Sequence, residues 1–90
     1  MNKDTNEILK ILKSIIEDVL NKEIITFDVN MSAKDIEGWD SLTHVQIIYK
    51  CEIKFKLRFT LAELGSLKNV GDLVFIIKKH LDKKSGKNFF

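Results

Sequence analysis

Apolar residues recur at spacings of three and four near the start of the chain, and this periodicity constrains the fold more than any other feature. The series runs through Ile8, Leu9, Leu12, Ile15, Ile16, Val19 and Leu20. Such spacing puts a wide apolar stripe on one face of a helix. Asp4, followed three residues later by Glu7, is typical of a capping box, and Asn21 is a suitable stop. We therefore predict an amphipathic helix between Asp4 and Asn21.

Helix signals return in three segments of the second half. An apolar stripe follows Ser41 and consists of Leu42, Val45, Ile48, Cys51 and Phe55. The capping-box pattern from Thr60 to Glu63 predicts a short helix that ends near Gly65. A last helix begins near Asn69, and its apolar face consists of Val70, Leu73, Val74, Ile77 and Leu81. Together with the first helix, these segments predict an all-α fold of four helices.

Length and composition indicate one globular domain. The 90 residues, 44% hydrophobic and 31% charged, suffice for a single small core. We assign residues 1–84 to this domain and residues 85–90 to a disordered tail. The longest apolar run is the five residues 73–77, far short of the roughly 20 that span a membrane. With no apolar signal core, one cysteine and no zinc-ligand pattern, we expect a cytoplasmic monomer that holds no metal and does not insert into a membrane.

Between the first two helices lies a stretch, residues 22–40, in which helix signals fade. Loops longer than about 12–15 residues in a compact domain are usually either functional or disordered. Because this one contains Ile36 and Trp39, we expect it to lie against the core. An alternative remains open at this point, because Ile25–Val29 and Phe55–Phe59 alternate with a period of two and are rich in strand formers. These two segments would then pair in a small α+β fold.

The segment Gly38-Trp39-Asp40-Ser41-Leu42 stands where this loop meets the second helix. A serine here commonly caps the helix, because its oxygen accepts an unpaired backbone N–H. The positive end of the helix would also favour a phosphate ester on Ser41, by about 0.3–1 kcal/mol. A serine hydrolase with Ser41, His44 and Asp40 is the enzyme alternative. Against it, Asp40 adjoins the nucleophile and no Gly-x-Ser-x-Gly elbow is present.

Gly38–Leu42, followed by an amphipathic helix, resembles the modification site of acyl and peptidyl carrier proteins. Phe55–Phe59, Leu61–Leu64 and Val70–Leu73 are similar to the closing helices of that family in content and spacing. The resemblance covers about residues 5–82, including the long first loop and the short third helix. It implies a four-helix bundle of the acyl-carrier type and favours helices over the strand alternative.

The resemblance also implies a cofactor and partners. Ser41 would carry 4′-phosphopantetheine through a phosphodiester, and the thiol of that arm would hold an acyl or aminoacyl group as a thioester. Asp40 matches the acidic position at which the modifying enzyme and its magnesium ion engage the site, and Leu42 matches an apolar position that would anchor the helix start in the core. The protein would be a free-standing carrier and not an enzyme. Its partners would be a phosphopantetheinyl transferase, a loading ligase and an acceptor transferase.

The charge distribution departs from that family. Residues 22–40 hold two basic and five acidic residues, whereas residues 41–59 hold four basic and one acidic. Carrier proteins of fatty-acid synthesis are instead acidic along the helix after the serine. The expected docking face of the second helix consists of Thr43, His44, Tyr49, Lys50, Ile53 and Lys54. Its basic character indicates a dedicated pathway, such as polyketide, nonribosomal peptide, amino-acid loading or cell-surface glycan modification.

Other features have a structural and a functional interpretation. The basic stretch with interleaved aromatics at residues 50–59 makes a nucleic-acid-binding or protein-interaction module the second candidate function, although the net charge is only +2. We interpret Cys51 as a buried apolar residue rather than a redox group. His44 is expected to be exposed beside the arm, and His80 to complement the dipole of the last helix. Trp39 either packs the loop or marks a ligand surface.

Overall fold

The computed structural model describes residues 4–86, and within them the backbone forms four α-helices and no strand. The helices are α1 (Thr5–Leu20), α2 (Ser41–Phe55), α3 (Leu61–Gly65) and α4 (Val70–Gly86), with a single turn of 3₁₀ helix at Ala33–Asp35. The predicted all-α, four-helix fold is therefore confirmed. None of these described helices is long and apolar enough to cross a membrane.

Both capping boxes predicted from the sequence are formed. At the start of α1, the Asp4 carboxylate accepts the backbone N–H of Glu7 at 2.9 Å, and the Glu7 carboxylate accepts that of Asp4 at 3.3 Å. At the start of α3, Thr60 and Glu63 exchange the same two bonds at 3.1 and 2.9 Å. Each box satisfies two N–H groups that would otherwise have no partner at a helix start.

The core lies where α1 packs against α2 and α4. Its most deeply buried side chains are Ile8, Leu12, Ile16, Ile47, Cys51, Val70, Leu73 and Ile77. The short α3 adds no fully buried residue; its Leu64 packs against the edge of the core. The three long helices therefore supply the stability, and the loops between them must follow their surface.

The long loop before α2 lies against the core, as predicted. Ile36 is only 4% exposed, and two backbone bonds tie the loop to the start of α4. Val70 donates to the carbonyl of Met31 at 2.7 Å, and Gly71 donates to that of Val29 at 2.8 Å. A Cβ at Gly71 would stand 2.9 Å from the Val29 oxygen, so the close approach of loop and helix requires glycine there.

The strand alternative is wrong for the described residues. Ile25, which an alternating pattern would bury, is 91% exposed, while its neighbour Ile24 is 6% exposed. Phe55 is the last residue of α2, and Phe59 is buried in the connection to α3. These two phenylalanines therefore belong to the core of the helical bundle and do not form the apolar face of a sheet.

The rotation of α2 about its axis differs from the prediction. Ile48, Cys51 and Phe55 are buried as expected, but Val45 is 64% exposed. Ile47 is fully buried instead. The inward face at the first turn of the helix contains the half-buried His44, because residues 44, 48, 51 and 55 follow one another at spacings of four, three and four.

At the other end of the chain, α4 continues through Gly86, so residues 85 and 86 of the predicted tail are helical. The remainder of that tail, residues 87–90, lies outside the described residues.

The rotation of α2 can be tested by a pair of substitutions. Ile47→Ala removes a fully buried side chain and should lower the free energy of unfolding by about 2–5 kcal/mol. Val45→Ala changes a mostly exposed residue of the same helix and should stay within about 0.5 kcal/mol of wild type. Urea denaturation followed by circular dichroism gives both values. If Val45→Ala were the more damaging change, the observed rotation would be wrong.

Candidate functional site

The cap of α2 is Asp40 rather than Ser41. Oδ1 of Asp40 accepts the backbone N–H groups of Leu42 and Thr43, both at 3.0 Å. The Thr43 hydroxyl accepts the N–H of Asp40 at 2.9 Å and donates to the carbonyl of Gly38 at 2.7 Å. Together these bonds form a capping box with Asp40 at the N-cap. The interpretation of Ser41 as the cap is therefore wrong, because the preceding carboxylate has that role.

The cap makes Asp40 a fixed negative charge. The hydrogen bonds that it accepts, above all the one from the backbone N–H of Thr43, hold the pKa of the Asp40 carboxyl below its ordinary value of 3.8. They do so because they stabilise the ionised form. Gly38 makes the preceding turn with a φ of +97°, a conformation that glycine adopts readily. The turn and the cap together fix where α2 begins.

Ser41 is exposed at the first position of α2. Within residues 4–86 no protein group hydrogen-bonds to its hydroxyl. Because Asp40 satisfies the helix start, the Ser41 hydroxyl has no structural task that a chemical modification would disrupt.

A second apolar stripe runs along the outside of α2 from the position next to Ser41. We call it the outer stripe; it consists of Leu42, Val45, Tyr49 and Ile53, which are 59–70% exposed. Their spacings of three, four and four residues make one continuous line on the helix surface. The expectation that Leu42 anchors the helix start in the core is therefore wrong. The exposure expected of Tyr49 and Ile53 is confirmed.

His44 contacts Trp39 instead of pointing into solvent. The indole Nε1 of Trp39 donates to Nδ1 of His44 at 3.0 Å, and the two rings stack with centroids 6.0 Å apart. Burial lowers the pKa of His44. The expected exposure of His44 is thus wrong, and Trp39 is a packing residue that joins the loop to α2. A triad is also not formed, since His44 Nδ1 contacts an indole rather than a carboxylate.

The two lysines predicted for docking differ in their surroundings. Nζ of Lys50 lies 3.0 Å from a carboxylate oxygen of Asp18 on α1. Lys54 is exposed and forms no ion pair among the described residues. Both line an open groove of about 730 Å³ between α1 and α2, whose apolar wall includes Ile11 and Ile53. Lys54 therefore presents an unneutralised charge, whereas Lys50 is held by Asp18.

Cys51 and the two phenylalanines after it are structural. Cys51 is fully buried, and that burial raises the pKa of its thiol to about 12, which keeps it protonated and unreactive. Phe55 and Phe59 are 4% and 7% exposed. Neither phenylalanine is available to stack on a base, so the basic stretch lacks the aromatic surface that single-stranded nucleic acid requires.

His80 has a more specific role than the predicted one at the helix dipole. Its Nε2 lies 3.0 Å from Oε1 of Glu63, and its ring meets that of Phe59 edge-on. This hydrogen bond is the largest cause of the lowered pKa of Glu63. His80 therefore joins α4 to the short α3, which has few core contacts of its own.

The fold and the start of α2 define a small helical bundle that displays one serine beside an exposed apolar stripe. The solution NMR structure of the holo acyl carrier protein from Geobacter metallireducens matches it with a TM-score of 0.80 and 38% sequence identity, covering 91% of this chain and 94% of that one. No protein-family model matches the chain, and no curated protein does either.

At this identity and coverage the chain belongs to the acyl carrier protein family. It is accordingly a carrier protein rather than an enzyme, as predicted. The resemblance that was stated on the residues around Ser41 and on the closing helices is thereby supported over almost the whole described chain.

Sequence reasoning missed the contact between Trp39 and His44, together with the burial of Ile47. A signal was present in the spacing of His44 with Ile48, Cys51 and Phe55, which continues the buried face by one more turn. Because histidine is polar, the sequence alone argued against placing His44 on the buried face. The structure shows the hydrogen bond from Trp39 that makes this position possible.

The Asp40 cap predicts a specific acid sensitivity. A carboxyl whose native pKa is lowered stabilises the fold above its unfolded value of 3.8, and this stabilisation is lost as the pH falls through the native value. Asp40→Asn keeps a capping side chain but does not ionise. Its free energy of unfolding, measured by urea titration, should therefore fall less steeply than that of wild type below about pH 4.

Glu37→Gln is the matched control for this measurement. Glu37 is an exposed carboxylate near Asp40 that makes no hydrogen bond to a described residue. The variant should keep the steep acid slope of wild type. Equal slopes in Asp40→Asn and wild type would show that the carboxylate does not cap α2.

Proposed function

We propose that this protein carries acyl or aminoacyl groups as thioesters on a 4′-phosphopantetheine arm attached to Ser41. The observation that carries the proposal is the Ser41 hydroxyl, exposed at the first residue of α2 and relieved of capping by Asp40. It is supported by membership of the acyl carrier protein family, since the matching Geobacter metallireducens protein is a holo form. The arm supplies the thiol, and the chain supplies its attachment and its recognition by enzymes.

The residues around Ser41 fit such an attachment. Ser41 Oγ would form a bond to the phosphorus of coenzyme A that bears the pantetheine. The bond from that phosphorus to the bridging oxygen breaks, 3′,5′-ADP leaves, and the hydroxyl proton passes to a base of the transferase. Only Oδ1 of Asp40 takes part in the cap; Oδ2 accepts no hydrogen bond from a described residue and can meet the magnesium ion of that transferase.

The outer stripe supports a docking role for α2. Leu42, Val45, Tyr49 and Ile53 leave the helix with an apolar line that is mostly exposed, and contiguous exposed apolar surface marks interaction sites. Lys54 follows Ile53 at the end of the stripe, and Lys50 is partly neutralised by Asp18. Of the other residues predicted for docking, Thr43 has its hydroxyl engaged in the cap and His44 is turned inward to Trp39, so we leave both out of the docking face. The partner enzymes would therefore present an apolar patch with a carboxylate at its rim.

The basic character of this face supports a dedicated biosynthetic pathway rather than housekeeping fatty-acid synthesis. Phosphopantetheinyl transferase, an acyl- or aminoacyl-loading ligase and an acceptor transferase are the proposed partners, and the carrier acts as a cytoplasmic monomer. The cargo is then chosen by the loading ligase, because the carrier contributes only presentation and recognition.

Attachment of the arm is tested by intact-mass spectrometry. After incubation with coenzyme A and a broad-specificity phosphopantetheinyl transferase, the wild-type protein should gain one phosphopantetheine. Ser41→Ala should gain none and keep its helical circular dichroism. Ser14→Ala, an exposed serine of α1, should be modified like wild type. Wild-type protein that stays unmodified by several such transferases would contradict the proposed function.

The docking face is tested by two aspartate substitutions at sites of similar exposure. Tyr49 of the outer stripe is 63% exposed and Phe75 of α4 is 67% exposed. Tyr49→Asp should reduce kcat/KM for modification by the transferase about fivefold or more, because buried interface tyrosines commonly contribute over 1 kcal/mol. Phe75→Asp should leave it unchanged. A loss of similar size in both variants would mean that docking does not use α2.

A further inference from the structure

The imidazole of His44 has one nitrogen committed to Trp39 and one that faces no protein partner. The indole N–H of Trp39 can only donate, so the Nδ1 of His44 that it meets at 3.0 Å must be the acceptor. The ring is therefore neutral, with its proton on Nε2. In the described part of the chain no residue hydrogen-bonds to that Nε2. The contact with Trp39 thus fixes the tautomer of His44 in which Nε2–H is the hydrogen-bond donor.

His44 lies one helical turn after Ser41, on the same side of α2, because residues three apart are neighbours on a helix surface. Apart from the N–H of Ser41 itself, the backbone donors at this helix start are already engaged. Asp40 accepts the N–H groups of Leu42 and Thr43 with its side chain, and accepts that of His44 with its carbonyl at 2.8 Å. An anion on Ser41 would therefore meet an ionised carboxylate and few uncommitted backbone donors.

The groups that face the imidazole from other elements are few. A cavity of about 60 Å³ beside the ring is lined by Trp39 and Ala33 of the loop and by Leu67, Lys68, Asn69 and Leu73 from the region of α4. The side-chain oxygen of Asn69 accepts the N–H of Asp72. Lys68 is the positively charged residue of this lining. None of the residues that line this cavity offers His44 a carboxylate.

We propose that His44 is a positioning residue for the arm, and that its Nε2–H donates a hydrogen bond to the phosphodiester on Ser41 while Trp39 holds the ring in the required tautomer. The inference rests on the proposed modification of Ser41. It assigns to the Trp39–His44 pair a task beyond packing, because the bond from Trp39 fixes a donor on a residue that lies one helical turn from Ser41.

The tautomer is tested first, on the unmodified protein. Nitrogen-15 NMR of the imidazole rings at neutral pH should show the two nitrogens of His44 in the pattern of a ring protonated at Nε2. Trp39→Phe removes the indole donor and should shift His44 towards a mixture of tautomers. If the neutral His44 ring of the wild-type protein were protonated at Nδ1, the inference would be overturned, whether or not Ser41 can be modified.

The contact with the arm is tested by phosphorus-31 NMR of the modified protein. A phosphodiester does not titrate near neutral pH, so a pH-dependent shift reports a neighbouring group. In wild type the phosphorus resonance should move with the titration midpoint of His44. In His44→Phe, which keeps an aromatic ring, that movement should be lost. In His44→Gln, which can still accept from the indole and donate to the phosphate, the resonance should stay near its wild-type position at neutral pH without titrating.

His80 is the internal control, since the chain has only two histidines and His80 contacts Glu63 in the α3–α4 region instead. Its imidazole resonances at neutral pH should be the same before and after modification, whereas the titration midpoint of His44 should rise because the phosphodiester favours the charged ring. A phosphorus resonance that is alike in wild type and His44→Phe at every pH would overturn the inference and leave the carrier function standing. Absence of any mass gain on Ser41 would overturn both.

Discussion

The hydrogen bonds that the Asp40 carboxylate accepts from the first turn of α2 determine how this protein presents its serine. A helix start needs a partner for its unpaired N–H groups, and two residues here, Asp40 and Ser41, have side chains able to supply one. Because Asp40 does so, Ser41 becomes the first helical residue with an uncommitted hydroxyl. The same bonds keep an ionised carboxylate beside that hydroxyl.

The orientation of α2 follows from a second contact at the same end. Trp39 offers an indole donor to His44, so a polar ring can occupy the inward position of the first turn without losing its hydrogen bond. Leu42 and Val45 then lie outside with Tyr49 and become part of the outer stripe. One hydrogen bond between the loop and the helix thus separates the face that stabilises the fold from the face that we propose for docking.

The sequence predicted the helices and their caps because periodic apolar residues and capping boxes are local signals. The start of α1 at Asp4 and that of α3 at Thr60 are examples. The rotation that it predicted for α2 was wrong, because α2 has apolar residues on two sides and hydrophobicity alone does not decide between them. The choice depends on the contact of His44 with Trp39, which joins a loop to a helix and has no local signature. The position of Ser41 was predicted from the motif and the family resemblance. That Asp40 rather than Ser41 caps α2 was visible only in the structure.

The rotation of α2 is most directly tested by solvent paramagnetic relaxation, measured on the methyl groups of the unmodified protein with a soluble, uncharged probe. The methyls of Leu42, Val45 and Ile53 should be strongly broadened, and those of Ile47 and Ile48 should be nearly unaffected. Protection of Leu42 and Val45, with broadening of Ile47, would contradict the orientation on which both the docking face and the role of His44 depend.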